Sequence, residues 1–275
     1  MLVILSIIPP LAIVFAVNKY CGTERQYLKR FILIFLIGGF LVAEVAMQGG
    51  YFLTNGVEAV LGSGVLFVVF SNFITTALLE EGLKFLPLRS RYAKGDPFTN
   101  PLYAIAISVT ISMGFAFWEQ IYYTLDSTLT AIILRDIFAV PGHMAHAIFM
   151  GWFMYLAAKA ASSGDEAGKK KNFRLAILVP TLTHGVYDVI VGMYRMSGSM
   201  LYFWMLFIFA PALIIYTVRL LKRVRKEEAN ADNSAANTAG DAAVSTAVSS
   251  GDKYITIDND DTDNTDNDLP EVFYE

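Results

Sequence analysis

The chain reads as a series of apolar runs, each about twenty residues long and bounded by a polar or charged break. The runs fall at about 2–18, 31–53, 60–87, 101–123, 129–159, 173–194 and 200–220. A helix rising about 1.5 Å per residue needs roughly twenty apolar residues to cross about 30 Å of hydrocarbon. Seven such runs predict an all-α bundle of seven transmembrane helices, with the lipid bilayer as its solvent. A membrane β-barrel would need short segments of alternating polarity, and the pattern is not of that kind. The first run contains Pro9 and Pro10 and is expected to kink there. No basic stretch precedes it and no small-residue cleavage site follows, so it reads as a span, not a removable signal peptide.

The breaks alternate in charge. Lys19, Arg25, Lys29 and Arg30 follow the first run, and Lys84, Arg89, Arg91 and Lys94 end the third. Lys159, Lys169, Lys170, Lys171 and Arg174 separate the fifth from the sixth, and Arg219, Lys222, Arg223, Arg225 and Lys226 follow the seventh. The intervening breaks hold Arg195 as their one basic residue. Positive charge marks the cytoplasmic side. The expectation is a multi-pass protein of the cell membrane, N-terminus outside and C-terminus cytoplasmic.

Composition agrees: 55% of residues are hydrophobic and 17% charged, against about a quarter charged in a soluble domain. The net charge of −4 hides a tail, residues 229–275, that sums to −10. The chain therefore divides into a transmembrane domain, 1–222, and an acidic cytoplasmic tail, 223–275, expected to be disordered. The run Asp258 to Asp263 lacks the glycine and closing glutamate of an EF-hand loop. The one cysteine, Cys21, excludes a disulfide framework and a cysteine-based zinc site. No nucleic-acid partner is expected.

The candidate chemistry lies inside the spans, where a charge costs at least ~2.5 kcal/mol at mid-depth. The third run ends in Glu80-Glu81-Gly-Leu-Lys84-Phe85 and the fourth holds Phe115-x-x-x-Glu119. The fifth holds Arg135-Asp136 and Pro141-Gly-His143-Met-Ala-His146, and the sixth His184-Gly-Val-Tyr187-Asp188. All three histidines of the protein are in spans. Helical spacing puts His143 with His146, His184 with Asp188, and Glu80 with Lys84 as an ion pair. Gly82, Gly114, Gly142 and Gly185 sit beside these charges and are expected to let the helices approach. Carboxylates and imidazoles from four helices describe a metal or acid–base centre in a bundle. Glu119, His143, His184 and Asp188 have no neutralising neighbour in sequence. Arg135-Asp136 reads as an interface pair near the outer boundary, His146 as a core histidine bonded to a carbonyl, and Glu44 as a packing or access residue. Depth is at odds with a single site: Glu80 and Glu81 count to the cytoplasmic end of their span and Glu119 to the outer end of the next.

Glu80-Glu81-Gly-Leu-Lys84-Phe85, Phe115-x-x-x-Glu119, Val140-Pro-Gly-His143 with Gly151, and His184-Gly-Val-Tyr-Asp188, in this order on four consecutive spans, resemble the PrsW family of intramembrane proteases. The CAAX prenyl-protease and bacteriocin-immunity membrane families are more distant relatives. The likeness covers roughly residues 30–220. It implies a peptidase that makes the first cut in a single-span membrane protein of the anti-sigma-factor type, and that Glu80, Glu81, Glu119, His143, His184 and Asp188 are its important positions. CAAX-type relatives carry histidine where this chain has Glu119.

Peptide hydrolysis needs an activated water, a stabilised oxyanion and a proton for the leaving nitrogen. No serine or cysteine stands at helical spacing from the histidines, which sets an acyl-enzyme aside. Two routes stay open. In one, Glu119, His143 and His184 hold Zn²⁺, Glu80 or Glu81 is the base, and Asp188 orients His184. In the other, a carboxylate activates water without metal and histidines stabilise the oxyanion. The competing class is an ion-coupled transporter or channel using the same residues as a proton relay. No inverted repeat or paired broken helices support it.

Overall fold

The computed structural model describes residues 2–23 and 30–249. Seven helices, each long and apolar enough to cross a membrane, account for nearly all of them: α1 (Leu2–Tyr20), α2 (Arg30–Leu61), α3 (Val65–Ala93), α4 (Pro101–Asp126), α5 (Leu129–Ser162), α6 (Glu166–Ser197) and α7 (Met200–Ser249). No strand occurs among the described residues. Local chemistry sets several helix starts. Asn100 accepts the Tyr103 amide ahead of Pro101, which has no amide to satisfy, and Asp165 accepts that of Gly168. At the end of α6, Gly198 takes the left-handed conformation that closes the helix.

The bundle is layered around α4 and α5. In their most apolar windows 78% and 72% of residues are buried, against 17% for α1 and α7, so the first two form the centre and the others face outward. Phe15, Phe52, Val60 and Ile208 project from outer helices as exposed apolar side chains, as expected where lipid replaces water. Close crossings hold the centre together. A Cβ on Gly39 would strike the backbone of Gly114, one on Gly114 the Phe35 carbonyl, and one on Gly151 would lie 2.6 Å from Ala104 O and Ile105 Cα. Of the glycines the sequence singles out, Gly114 and Gly185 do sit at crossings. Gly82 has no atom within 4 Å of an added Cβ, and Gly142 touches only its own helix's His146.

Three π-helical stretches interrupt the helices: Ile34–Gly38 in α2, Ser71–Leu78 in α3 and Arg135–Ala139 in α5. The last two end just before Glu80-Glu81 and just before Pro141-Gly-His143. Pro141 cannot donate to a carbonyl one turn back and its ring crowds that turn, which the widened stretch relieves.

The basic breaks share one end of the bundle. Arg30 and Arg91 both pair with Asp96, Arg225 lies over the Tyr20 ring, and Arg89 over Phe173. Cys21 is buried beside them, and burial pushes its thiol up to about 12 despite the opposing Arg225 charge. The other end holds the links after α2, α4 and α6 and the start of α1, where the hydroxyls of Ser6 and Thr124 meet.

One boundary differs from the sequence reading. Helix α3 continues to Ala93, which puts Glu80 and Glu81 at mid-helix, not at its end. Helix α7 runs to Ser249, and the compact bundle extends to Ala229. The acidic run Asp258 to Asp263 lies outside the described residues.

Candidate active site

The polar residues of α3, α4, α5 and α6 meet in one buried network. At its centre is the Lys84 ammonium, 1% exposed. It lies 2.8 Å from Glu81 Oε1, 3.3 Å from Glu80 Oε2 and 3.2 Å from His143 Nδ1, and 4.0 Å above the Phe115 ring. Lys84 thus bridges both glutamates, closer to Glu81 than to the Glu80 that helical spacing suggests. An ammonium only donates, so His143 Nδ1 accepts, and its Nε2–H is left to donate to Glu119 Oε2 at 3.0 Å. Phe115, from the Phe-x-x-x-Glu motif, packs edge-on against His143 as well as under Lys84. The Ser112 hydroxyl donates to the His143 carbonyl at 3.0 Å and ties α4 to α5 there.

His184 stands between two carboxylates. Its Nδ1 is 3.0 Å from Glu81 Oε1 and its Nε2 3.2 Å from Asp188 Oδ2, one turn along its own helix. Glu119 is not without a counter-charge. Arg135 from α5 reaches its Oε2 at 2.8 Å, stacks over the Tyr123 ring at 3.6 Å and donates to Gln120 Oε1 at 2.7 Å. Arg135 is therefore a member of the site, not half of an interface pair; its sequence neighbour Asp136 accepts from Gln120 instead.

His146 departs most from the sequence reading. It is 2% exposed, and neither ring nitrogen has a hydrogen-bond partner among the described residues. No carbonyl holds it. Its ring stacks on His184, and the His143 ring stands 5.3 Å from that of His184. Glu81 Oε2, also buried, is likewise unpartnered. Glu44 lies elsewhere, accepting from the Tyr122 hydroxyl and the Gln48 amide between α2 and α4.

Two sets of donors close to within 4.8 Å: Glu81 with His143, His146 and His184, and Glu80 with Glu119 and His143. The trio expected from sequence, Glu119, His143 and His184, is not itself one of these sets. The chemistry of the first set, three imidazoles and a carboxylate with free atoms on Glu81 and His146, suits a borderline-soft divalent ion. A buried imidazole with neither nitrogen bonded would otherwise be a net cost. Beside the network lies a cavity of about 280 Å³, lined by Glu80, Glu119, His143, His146, His184 and Asp188 among others. It has room for several waters and is walled by Tyr123 and Tyr187. Glu80 and Glu119 therefore meet the same water-sized space although they count to opposite ends of their spans. The depth conflict is resolved by the length of α3 and by the cavity.

Carboxylates and imidazoles around a cavity roomy enough for several waters, inside a membrane-spanning bundle, define a hydrolase-type centre embedded in the bilayer. Comparison with known proteins narrows this. The profile of the PrsW family intramembrane metalloproteases matches residues 28–215. The chain is 30% identical over 197 residues to Protease PrsW of Clostridioides difficile, which spans 69% of this chain and 79% of that one. It is 29% identical over 160 residues to Protease PrsW of Oceanobacillus iheyensis (58% and 69%) and 30% over 149 residues to that of Bacillus subtilis (52% and 65%). No solved structure matches it. The chain belongs to the PrsW family of intramembrane proteases, and is a multi-pass membrane peptidase whose substrates are membrane proteins.

Proposed function

We propose that this peptidase uses a zinc ion held by Glu81, His143, His146 and His184 to cleave single-span membrane proteins of the anti-sigma-factor type. The observation that carries the reading is the buried, unpartnered pair of nitrogens on His146, facing two other imidazoles and a carboxylate. When bound, such an ion acidifies water and polarises the scissile carbonyl as a Lewis acid. Glu81 then serves as a ligand, not a base, and Glu119 as the carboxylate that pairs with Arg135 and positions His143.

Glu80 is the general base. Unlike Glu81 it lines the cavity, so water can reach it. It takes a proton from water as the oxygen attacks the carbonyl carbon, then returns that proton to the nitrogen as the C–N bond breaks. Asp188 fixes the ring of His184. Tyr123 and Tyr187, with Arg135, wall the cavity where the oxyanion would form and supply donors for it. The shared end of the basic segments supports a cytoplasmic C-terminus and an outside N-terminus. Since no motif residue falls in it, the tail beyond 229 has no part in the chemistry.

The test is cleavage of a reconstituted single-span protein with a soluble extracytoplasmic domain, alongside metal analysis. Glu80→Gln should abolish cleavage and keep the metal, whereas His146→Ala should lose both. Full activity in metal-free protein would overturn the zinc assignment and leave the carboxylate route. Wild-type protein that moves protons or solute but cuts nothing would favour the transporter.

A further inference from the structure

We infer that a second cavity, between α4, α5, α6 and α7, is the pocket that selects one substrate residue within a few positions of the scissile bond. It takes a large apolar or aromatic side chain of an unwound substrate segment, an inference that rests on the peptidase reading above. The cavity measures about 450 Å³ and its walls include Leu134, Ile190, Tyr194, Tyr202, Phe203 and Leu206. Five residues, Tyr123, Arg135, Tyr187, Val191 and Arg195, line both it and the polar cavity. The two spaces are thus separated by no more than one layer of side chains. Successive α-carbons are 3.8 Å apart, so a chain crossing the polar cavity places a residue in the second within a few positions of the cut.

Its chemistry specifies the occupant. The wall is apolar and aromatic, with Phe203 packed against Tyr194 at 5.8 Å and Phe207 at 4.8 Å. Its charged lining residues are both arginines. Arg135 is paired with Glu119, and Arg195 is exposed at the rim. Among the described residues no carboxylate lines the space, so an acidic residue at the rim is favoured over a basic one. The pocket lies toward the end opposite the basic segments, reached by the links after α4 and α6 through Ser127 and Arg195. Two further cavities share no described residue with the site. One lies between Phe52 and Phe70 on the outer face, another beside Lys170 and Arg174.

The experiment uses the full-length protein in liposomes and a single-span substrate whose cut has been mapped by mass spectrometry. Each of the four residues on either side of the cut is replaced in turn by Gly, Leu, Phe, Glu and Lys. At one position Leu and Phe should exceed Gly and Lys by roughly ten- to a hundredfold in rate, the range a hydrophobic pocket achieves. Filling the pocket with Leu206→Trp should reverse the Phe-to-Gly ratio at that position alone. Enlarging it with Phe203→Ala should raise the Phe-to-Leu ratio. Val57→Trp, in the outer-face cavity, should leave every ratio as in wild type. If wild type cleaves but neither pocket variant changes any ratio, the pocket assignment is overturned while the peptidase reading stands. If Leu206→Trp is inactive on all substrates, the Phe203→Ala ratio decides alone. No cleavage by wild type would overturn the peptidase reading itself.

Discussion

His146 lies nearly flat on His184, with ring centroids 4.9 Å and planes 20° apart, and neither nitrogen of His146 is hydrogen-bonded within the described chain. Stacking fixes the ring and leaves its nitrogens free, which is what a ligand requires and a filler does not.

The first prediction follows from that pair. His146→Ala should lower zinc content and cleavage together by a hundredfold or more, and His146→Phe, which keeps the stacked ring, should not restore either. Pairing it with His184→Ala should add little, since groups acting as one unit are non-additive. Near-normal zinc in His146→Phe would return the residue to the core.

Lys84 and a metal ion draw on the same donors, Glu81 and His143. Removing the ammonium strands two buried glutamates, a loss of about 3–5 kcal/mol for a broken buried pair. Lys84→Met should therefore melt well below wild type in metal-free detergent solution and recover most of the difference when zinc is added. Equal melting shifts with zinc in both proteins would show that the two cations do not compete.

The glycine crossings make a matched pair of tests. Gly151→Ala puts a methyl 2.6 Å from backbone, whereas Gly82→Ala meets nothing within 4 Å. The first should cost about 1–3 kcal/mol by overpacking and lower the melting temperature; the second should not. A Gly82→Ala protein that melts like Gly151→Ala would mean that α3 is contacted there.

Topology is testable without removing Cys21. The thiolate is the reactive form, and a buried thiol pushed up to about 12 offers little of it at neutral pH. Cysteines placed at Ser197, the last residue of α6, and at Ser163, in the link before it, both exposed, should then give clean signals. In intact cells an impermeant maleimide should label the 197 variant and spare the 163 variant. The reverse pattern inverts the bundle.

Cleavage inside a membrane also requires the substrate helix to open, because helical carbonyls are bonded and shielded. Gly or Pro within a turn of the scissile bond should speed hydrolysis several-fold, and Leu or Ala there should slow it. Indifference to both would mean that the cut falls outside the substrate helix.

Much of this protein was legible in its sequence because hydrocarbon enforces length and punishes charge. The seven runs, and the polar motifs on the third to sixth, stand out for that reason alone. What pairs across helices did not. Arg135 sits beside Asp136 in sequence yet serves Glu119, whose own run offers no partner. A buried imidazole usually finds a carbonyl, and nothing in the sequence around His146 shows that, among the described residues, this one has no partner. The π stretches break the helical register, so face assignments carried from Ser71 to Glu80, or from Arg135 to His143, could not be made by counting.

The Arg135–Glu119 ion pair also bears on how the protein enters the bilayer. Helix α3 brings one cation, Lys84, for its two glutamates, but α4 carries Glu119 with no cation of its own, at a cost of up to about 2.5–3.5 kcal/mol if inserted alone. Its partner arrives on the very next helix, across the two-residue link Ser127–Thr128. Insertion reporters comparing α4 alone with the α4–α5 hairpin read this directly, and equal efficiency would argue against it. The two central helices are thus best handed to the translocon as one neutralised hairpin, so that the contact that shapes the site also eases the passage of its own carboxylate into lipid.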